Sequence, residues 1–147
     1  MKNYMHNFQV KAPIERVANF HRDTRTLRIL TPPPMVVRFK KIEPLAEGST
    51  ADFVIWLGPI PVHWKAKHSD VDPNTGFVDT QIDGPFKYWV HRHSFTAINE
   101  NVTEVKDEIQ AKFRKHLYHG VLGRLMWVNL PALFAFRAWK TRQELEG

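Results

Sequence analysis

Residues 84–109 read GPFKYWVHRHSFTAINENVTEVKDEI, and this stretch decides the fold prediction. Side chains of contrasting character alternate on both sides of residues 99–101, where Asn-Glu-Asn is typical of a turn. The pattern predicts two antiparallel strands, Lys87–Ala97 and Val102–Lys112, joined by a short loop.

Charged residues in the predicted strands show which side chains face water. Lys65 and Lys67 lie in one strand and Glu104, Lys106 and Glu108 in another, so the residues between them face inward. In the strand between residues 87 and 97, one face carries Tyr88, Val90, Arg92 and Ser94. The other face carries Trp89, His91, His93 and Phe95. The predicted inward set is Trp64, Ala66, His68, Trp89, His91, His93, Phe95, Thr103, Val105, Asp107 and Ile109. Phe77, Asp79 and Gln81 lie on one face of their strand, and alternation does not fix whether that face points inward or outward.

Outside this hairpin, turn residues recur roughly every ten residues, which is typical of an antiparallel meander. A helix begins in the segment Ala12-Pro13-Ile14-Glu15, where Pro and Glu suit the first turn. A second short helix, Thr24–Leu30, ends before the prolines at 32–34. The other predicted strands are Tyr4–Val10, Val36–Glu43, Ser49–Leu57, Pro61–Val71 and Gly76–Ile82.

The last apolar segment has no alternation and predicts a helix from about Val121 to Glu144. Pro131 should kink it, because proline removes one backbone hydrogen bond and clashes with the preceding turn. Charged and polar residues interrupt the segment too often for it to span a membrane. Its apolar surface exceeds what one packed face needs, so we expect it also to line a cavity or meet a partner.

This order of elements resembles the START-like superfamily, also called the Bet v 1-like or polyketide cyclase/dehydrase superfamily (SRPBCC). The resemblance covers nearly the whole chain and rests on the opening Phe8-x-Val10-x-Ala12-Pro13-Ile14-Glu15, on Gly84-Pro85-Phe86 followed by Trp89-x-His91-x-His93-x-Phe95, and on Thr103-x-Val105-x-Asp107-x-Ile109. It implies an α+β helix-grip fold, in which a curved antiparallel sheet wraps around a long C-terminal helix. The turn at Gly48 lacks the glycine-rich loop of the plant allergen branch, so the ligands of that branch are not carried over.

Length and composition narrow the class of protein. The 147 residues suit one domain, 1–147, and 43% hydrophobic residues exclude a disordered chain. The absence of Cys excludes disulfide scaffolds, thiolate zinc sites and cysteine nucleophiles. The amino terminus has no apolar stretch like a signal peptide, so a cytoplasmic protein is the default expectation. No phosphate loop, dinucleotide glycine motif or Gly-x-Ser-x-Gly elbow occurs in the sequence.

Five Trp and ten Phe in a thin two-layer fold predict a hollow between the sheet and the last helix. Phe53 and Ile55 are placed inward by alternation, although Val54 and Trp56 on the other face are equally apolar. The predicted ligand-binding residues are Phe53, Ile55, Trp64, Trp89, His91, His93, Phe95, Val105, Asp107, Ile109, Met126, Leu130 and Phe134.

His91, His93 and Asp107 form the predicted polar floor of this cavity. They allow an internal hydrogen-bond network, a role in orienting a ligand, or general acid–base catalysis. His91-x-His93 also places two rings on one face, as a metal site requires, with Asp107 or His68 as a third ligand. The metal-binding pattern of cupins would place a Glu five residues after the second His, but this chain has Ile98 there. The pair His116-x-x-His119 is a weaker signal for a metal site. We therefore predict no metal and no cofactor.

The net charge of +6 comes from the C-terminal part of the chain. Residues 1–108 carry 14 basic and 13 acidic residues, whereas residues 109–143 carry seven basic residues and no acid. A solvated basic face explains this pattern, and so does attraction of an anionic membrane or ligand, which would make the protein peripheral to a membrane. Nucleic acid is disfavoured because no recognised reading motif accompanies the charge. The basic residues are Lys112, Arg114, Lys115, Arg124, Arg137, Lys140 and Arg142.

Three functions follow from these patterns. The first is binding or transport of a hydrophobic small molecule such as a lipid, isoprenoid, quinone or polyketide. The second is a cyclase/dehydrase-type enzyme that uses His91, His93 and Asp107 to move protons. The third is a module that docks on a membrane or a protein through its basic C-terminal helix.

Overall fold

The computed structural model describes residues 1–146, which form one antiparallel sheet and four helices. The seven strands lie in the order β1-β7-β6-β5-β4-β3-β2. Strands β2 to β7 form a meander, and β1 is added at the edge beside β7. The strands are β1 (Lys2–Val10), β2 (Val36–Ile42), β3 (Thr50–Leu57), β4 (Ile60–Asp72), β5 (Gly76–Asp83), β6 (Phe86–Asn99) and β7 (Val102–Phe113). The helices are α1 (Ile14–Arg22), α2 (Thr26–Ile29), α3 (Leu117–Val128) and α4 (Leu130–Leu145). The predicted α+β helix-grip fold is confirmed.

Alternation fixes the faces of the sheet as predicted. On β7 the side chains of Thr103, Val105, Asp107 and Ile109 are buried, and those between them are partly exposed. The neighbouring strand β6 pairs with β7 in register across almost its whole length, so the inward residues of the two strands lie side by side. A slip of one residue would turn both inward sets toward water.

The C-terminal segment differs from the prediction of one kinked helix over Val121–Glu144. It begins four residues earlier, at Leu117, and divides into α3 and α4 at Asn129. Pro131 lies in the first turn of α4, where its missing N–H costs nothing. The side-chain Nδ2 of Asn129 donates to the Leu125 carbonyl at 2.7 Å, which satisfies a carbonyl near the end of α3. No helix in residues 1–146 has the length and apolar character needed to cross a bilayer.

Two apolar clusters support the sheet at different places. One cluster includes Trp64, Trp89 and Phe134 and joins the sheet to α4. The other includes Val17 and Phe95 and joins the sheet to α1. The helices therefore cover the sheet at two places, and the space between them is where a cavity can form.

The turn from β4 into β5 depends on one glycine. Gly76 has φ +137°, and a Cβ at this position would lie 1.9 Å from the carbonyl oxygen of His93 on the neighbouring strand. Only glycine adopts this conformation and permits so close an approach of two backbones. Gly76 thus sets the register between β5 and the strand that carries the two inward histidines.

We expect Gly76→Ala to lower the free energy of unfolding by about 3 kcal/mol, because strained backbone and a steric clash add together. Gly58→Ala is the matched control: φ is +62° there, but a Cβ meets nothing within 4 Å. The control should cost about 1 kcal/mol. Urea unfolding monitored by circular dichroism measures both, and equal losses would contradict the steric role of Gly76.

Candidate functional site

A cavity of about 570 Å³ lies between the inner face of the sheet and the helices α2, α3 and α4. Its walls are mostly apolar, and its size suits a small organic molecule. Nine of the predicted ligand-binding residues line it: Phe53, Ile55, Trp64, Trp89, His91, His93, Met126, Leu130 and Phe134. Their role in ligand binding stays a prediction.

The expectation that Phe95, Val105 and Ile109 wall the cavity is wrong. Phe95 and Val105 face inward as predicted, but helix α1 covers that end of the sheet and packs Val17 against them. Ile109 is 1% exposed and lies within the packed cluster beneath α4. Strand alternation correctly assigned the face, but it could not show which part of the face a helix covers.

Asp107 also lies outside the cavity wall, because it is buried behind His91. Its Oδ1 atom accepts a hydrogen bond from His91 Nε2 at 2.8 Å and lies 3.4 Å from His93 Nδ1. Asp107 therefore acts on the cavity through the two histidines rather than by direct contact.

Asp79 occupies the cavity side of the same cluster. Its Oδ2 atom accepts a hydrogen bond from His93 Nε2 at 2.6 Å and lies 3.9 Å from His91 Nδ1. In the sheet register His91 is directly opposite Asp79 and His93 is directly opposite Asp107, so both short hydrogen bonds run diagonally. Each histidine thus has one carboxylate on each neighbouring strand.

The two imidazole rings are stacked, with centroids 3.8 Å apart and an angle of 25° between their planes. Phe77 stacks on the far side of His93 at 4.3 Å. Three rings in a column leave the histidines little freedom to rotate. The stacking therefore fixes the direction in which the ring nitrogens point, which is toward the two carboxylates.

Electrostatics in this cluster favours ionised carboxylates beside neutral His93. Burial lowers the pKa of His93, and nearby His91 lowers it further. Burial is the largest single influence and by itself would raise the pKa of Asp107, but the hydrogen bond from His91 and the charges of the nearby histidines together outweigh it and bring the pKa to about 2. Asp79 shows the same balance, and its hydrogen bond from His93 lowers its pKa.

The arrangement does not favour a metal centre. Asp79, His91 and His93 offer atoms close enough together to be considered as ligands, with Asp79 in the place predicted for Asp107 or His68. An imidazole lone pair lies in the plane of its ring, and two nearly parallel rings direct their lone pairs along separate lines. The other histidines considered as ligands have hydrogen-bond partners of their own. His68 Nδ1 lies 2.9 Å from the Ser49 hydroxyl, and His116 Nδ1 accepts a 3.4 Å hydrogen bond from the backbone N–H of His119 at the start of α3.

His21 and Arg137 are among the cavity residues that the sequence analysis did not predict as ligand-binding. Arg137 was grouped with the basic C-terminal residues, yet it lies on the same face of α4 as buried Leu130 and Phe134. The spacing of seven residues from Leu130 to Arg137, with Phe134 between them, is the signal that could have placed it inward. His21 follows Val17 by four residues, which places it beside the apolar face of α1, but this spacing does not show that the face borders the cavity.

Comparison with known proteins agrees with this architecture. Searches of protein-family models and of curated proteins found no match. Among solved structures, the Zhui aromatase/cyclase from Streptomyces sp. R1128 is similar with a TM-score of 0.79 and 13% identity, covering 99% of this chain and 93% of that chain. A START superfamily protein from Mycobacterium smegmatis is similar with a TM-score of 0.70 and 12% identity, covering 98% and 97%.

The chain has a START-like fold. Norcoclaurine synthase from Thalictrum flavum, solved in complex with dopamine and hydroxybenzaldehyde, is a third similar structure, with a TM-score of 0.66 and 16% identity over 97% of this chain and 84% of that chain. The resemblance inferred from the sequence is thereby confirmed for the fold. Identities this low carry no function from these proteins to this chain.

His21 should make the stability of this START-like domain sensitive to acid. Burial lowers the pKa of His21 to about 4, against an ordinary value near 6.5. Between these two pH values the unfolded chain binds more protons than the folded chain, so the free energy of unfolding falls as the pH falls. From about pH 8 to about pH 5, His21 alone should account for a loss of about 2 kcal/mol.

The variant His21→Phe should reduce that loss by the same amount, measured by urea unfolding at the two pH values. Exposed His116→Asn, which keeps a helix-capping side chain, is the control for removing a histidine far from the cavity. An unchanged pH dependence in His21→Phe would contradict the assignment.

Proposed function

We propose that this protein binds a hydrophobic small molecule, of lipid, isoprenoid, quinone or polyketide-like character, in the cavity between the sheet and the C-terminal helices. The observation that carries the proposal is the cavity itself, which is about 570 Å³ in volume and mostly apolar, with a few polar side chains in its wall. Small-molecule sites commonly combine apolar walls with a few polar groups that orient the ligand.

The apolar wall of the cavity supplies the binding energy. Phe53, Ile55 and Trp64 line the cavity from the sheet, and Met126 and Leu130 line it from the helices. A ligand gains about 25 cal/mol for each Å² of apolar surface removed from water. The stacked histidines in the wall are held in place, so they orient a ligand without having to be ordered first.

Uptake of the neutral fluorescent probe N-phenyl-1-naphthylamine tests this proposal. Ala66 is buried in the cavity wall, and Ala66→Phe should fill part of the space and weaken probe binding at least about tenfold. Ala97→Phe adds the same ring at an exposed position of β6 and should leave binding unchanged. Binding that is absent in the unaltered protein, or equal in both variants, would contradict the cavity as the site. If the cavity is the site, native mass spectrometry of protein purified from its host should also show a bound molecule.

A cyclase/dehydrase-type enzyme is the second candidate, favoured by the His93–Asp79 hydrogen bond of 2.6 Å at the cavity wall. A neutral imidazole held by a carboxylate can accept a proton from a bound molecule. The two functions differ in the fate of the ligand. A change in mass of the bound molecule that His93→Gln abolishes, while probe binding persists, favours the enzyme.

We also propose that α3 docks on an anionic membrane. Its outer face presents Leu117, Val121, Leu125 and Val128, spaced as one helical stripe, with Leu117 82% and Val128 69% exposed. Leu125 also belongs to the cavity wall, so this stripe borders the route into the cavity. Lipids could then enter without crossing water.

Charge supports a lipid surface rather than a second copy of the chain. Lys112, Lys115 and Arg124 are exposed close to the stripe in sequence, and no acidic residue occurs between residues 109 and 143. A basic border attracts anionic headgroups and would repel an identical basic border. Of the other basic residues, Arg114 donates to the Gly84 carbonyl, Arg142 to the Gln9 carbonyl and Lys140 to Gln143.

Vesicle co-sedimentation checks this surface. Replacing Leu117, Val121 and Val128 together by Ser should weaken binding to phosphatidylcholine–phosphatidylserine vesicles at least about tenfold, and neutralising Lys112, Lys115 and Arg124 should weaken it at low salt. Exposed Ile98→Ser is the control. Equal binding by all variants would contradict the proposal, as would a dimer in solution that the Ser substitutions dissociate.

A further inference from the structure

Arg137 is the only lysine or arginine that lines the cavity within residues 1–146. Its Nε donates to the Leu30 carbonyl at the end of α2 at 3.3 Å, and its Cζ lies 5.2 Å from the centre of the Phe134 ring. These contacts fix the plane of the guanidinium. They use only one of its five N–H groups.

The remaining N–H groups of Arg137 have no hydrogen-bond partner among the described residues, and no carboxylate oxygen there lies within ion-pair distance. Asp107 and Asp79 attract the guanidinium from beyond ion-pair distance. Their short hydrogen bonds go to His91 and His93 instead. A ligand that covers this free edge must offer acceptor atoms in place of water, because a buried N–H group without a partner is costly.

We propose that the free Nη edge of Arg137 is the polar subsite of the cavity and binds an acceptor oxygen of the ligand, a carboxylate or a carbonyl oxygen. The inference rests on the proposed small-molecule function and names the class of ligand. That class is an apolar molecule, of ring or chain form, that ends in a carboxylate, ketone or quinone oxygen.

The charge and shape of the guanidinium disfavour other ligand ends at this edge. A ligand amine would be cationic and would be repelled by Arg137. A plain hydrocarbon would remove the last water from the free N–H groups without replacing it. A planar guanidinium can instead donate two parallel hydrogen bonds to a carboxylate or one to a carbonyl oxygen.

Three naphthalenes of similar size test the subsite through their displacement of N-phenyl-1-naphthylamine: 2-naphthoate, 2-acetylnaphthalene and 2-ethylnaphthalene. The carboxylate or the ketone should bind at least about tenfold more tightly than the hydrocarbon. Which of the two binds better shows whether the preferred oxygen is anionic or neutral. In Arg137→Met this preference should disappear, while the affinity for 2-ethylnaphthalene stays within about threefold.

Arg142 provides a matched control on the same helix. Its Nε donates to the Gln9 carbonyl at 3.0 Å and its Cζ lies 5.4 Å from the Phe8 ring centre, which repeats the two contacts of Arg137 away from the cavity wall. Arg142→Met should keep the full preference. Circular dichroism checks the fold, and Arg137→Gln replaces Arg137→Met where the latter does not fold.

Three results would overturn the assignment of Arg137 as the polar subsite. Equal affinity of the unaltered protein for all three naphthalenes overturns it and leaves the proposed function standing. A preference that survives in the Arg137 variants, or that Arg142→Met also removes, overturns it as well. Failure of the unaltered protein to take up N-phenyl-1-naphthylamine or any naphthalene overturns the proposed function, and the subsite with it.

Discussion

The two diagonal hydrogen bonds, His91 to Asp107 and His93 to Asp79, constrain three neighbouring strands at once. Both histidines project inward from β6, and each carboxylate comes from the strand on one side of it. A shift of register by one residue would leave buried carboxylates without these hydrogen bonds, and a buried charged group without a partner is strongly destabilising. The polar floor of the cavity is thus also the element that fixes the centre of the sheet.

The cavity exists because the helices cover the sheet only in part. Helix α1 closes one end of the inner face through Val17 and Phe95, and α4 crosses the sheet through Phe134. The division at Asn129 lets α3 and α4 each take its own path along the cavity wall. The same α4 face that seals the core with Leu130 and Phe134 turns Arg137 toward the cavity, so packing and polarity are set by one helix.

The inward side of each strand could be predicted because side chains alternate with a period of two residues. Charged Lys65, Lys67 and Glu104 mark the water side, and the structure places their neighbours inward as expected. The same reasoning failed for Phe95 and Ile109 as cavity residues, since alternation distinguishes the faces of a sheet but not positions along one face. It also gave no sign that His93 would pair with Asp79 rather than with its register partner Asp107.

The order of the strands and helices, the turns between them and the START-like resemblance can be predicted from the sequence, because these depend on local patterns of a few residues. The position of the cavity, the residues that border it and the entry of Arg137 into it follow from tertiary packing instead. Those features depend on the angles at which α1 and α4 cross the sheet. Such angles result from packing between residues more than a hundred positions apart, as in the hydrogen bond from Arg137 to Leu30, and no local pattern encodes them.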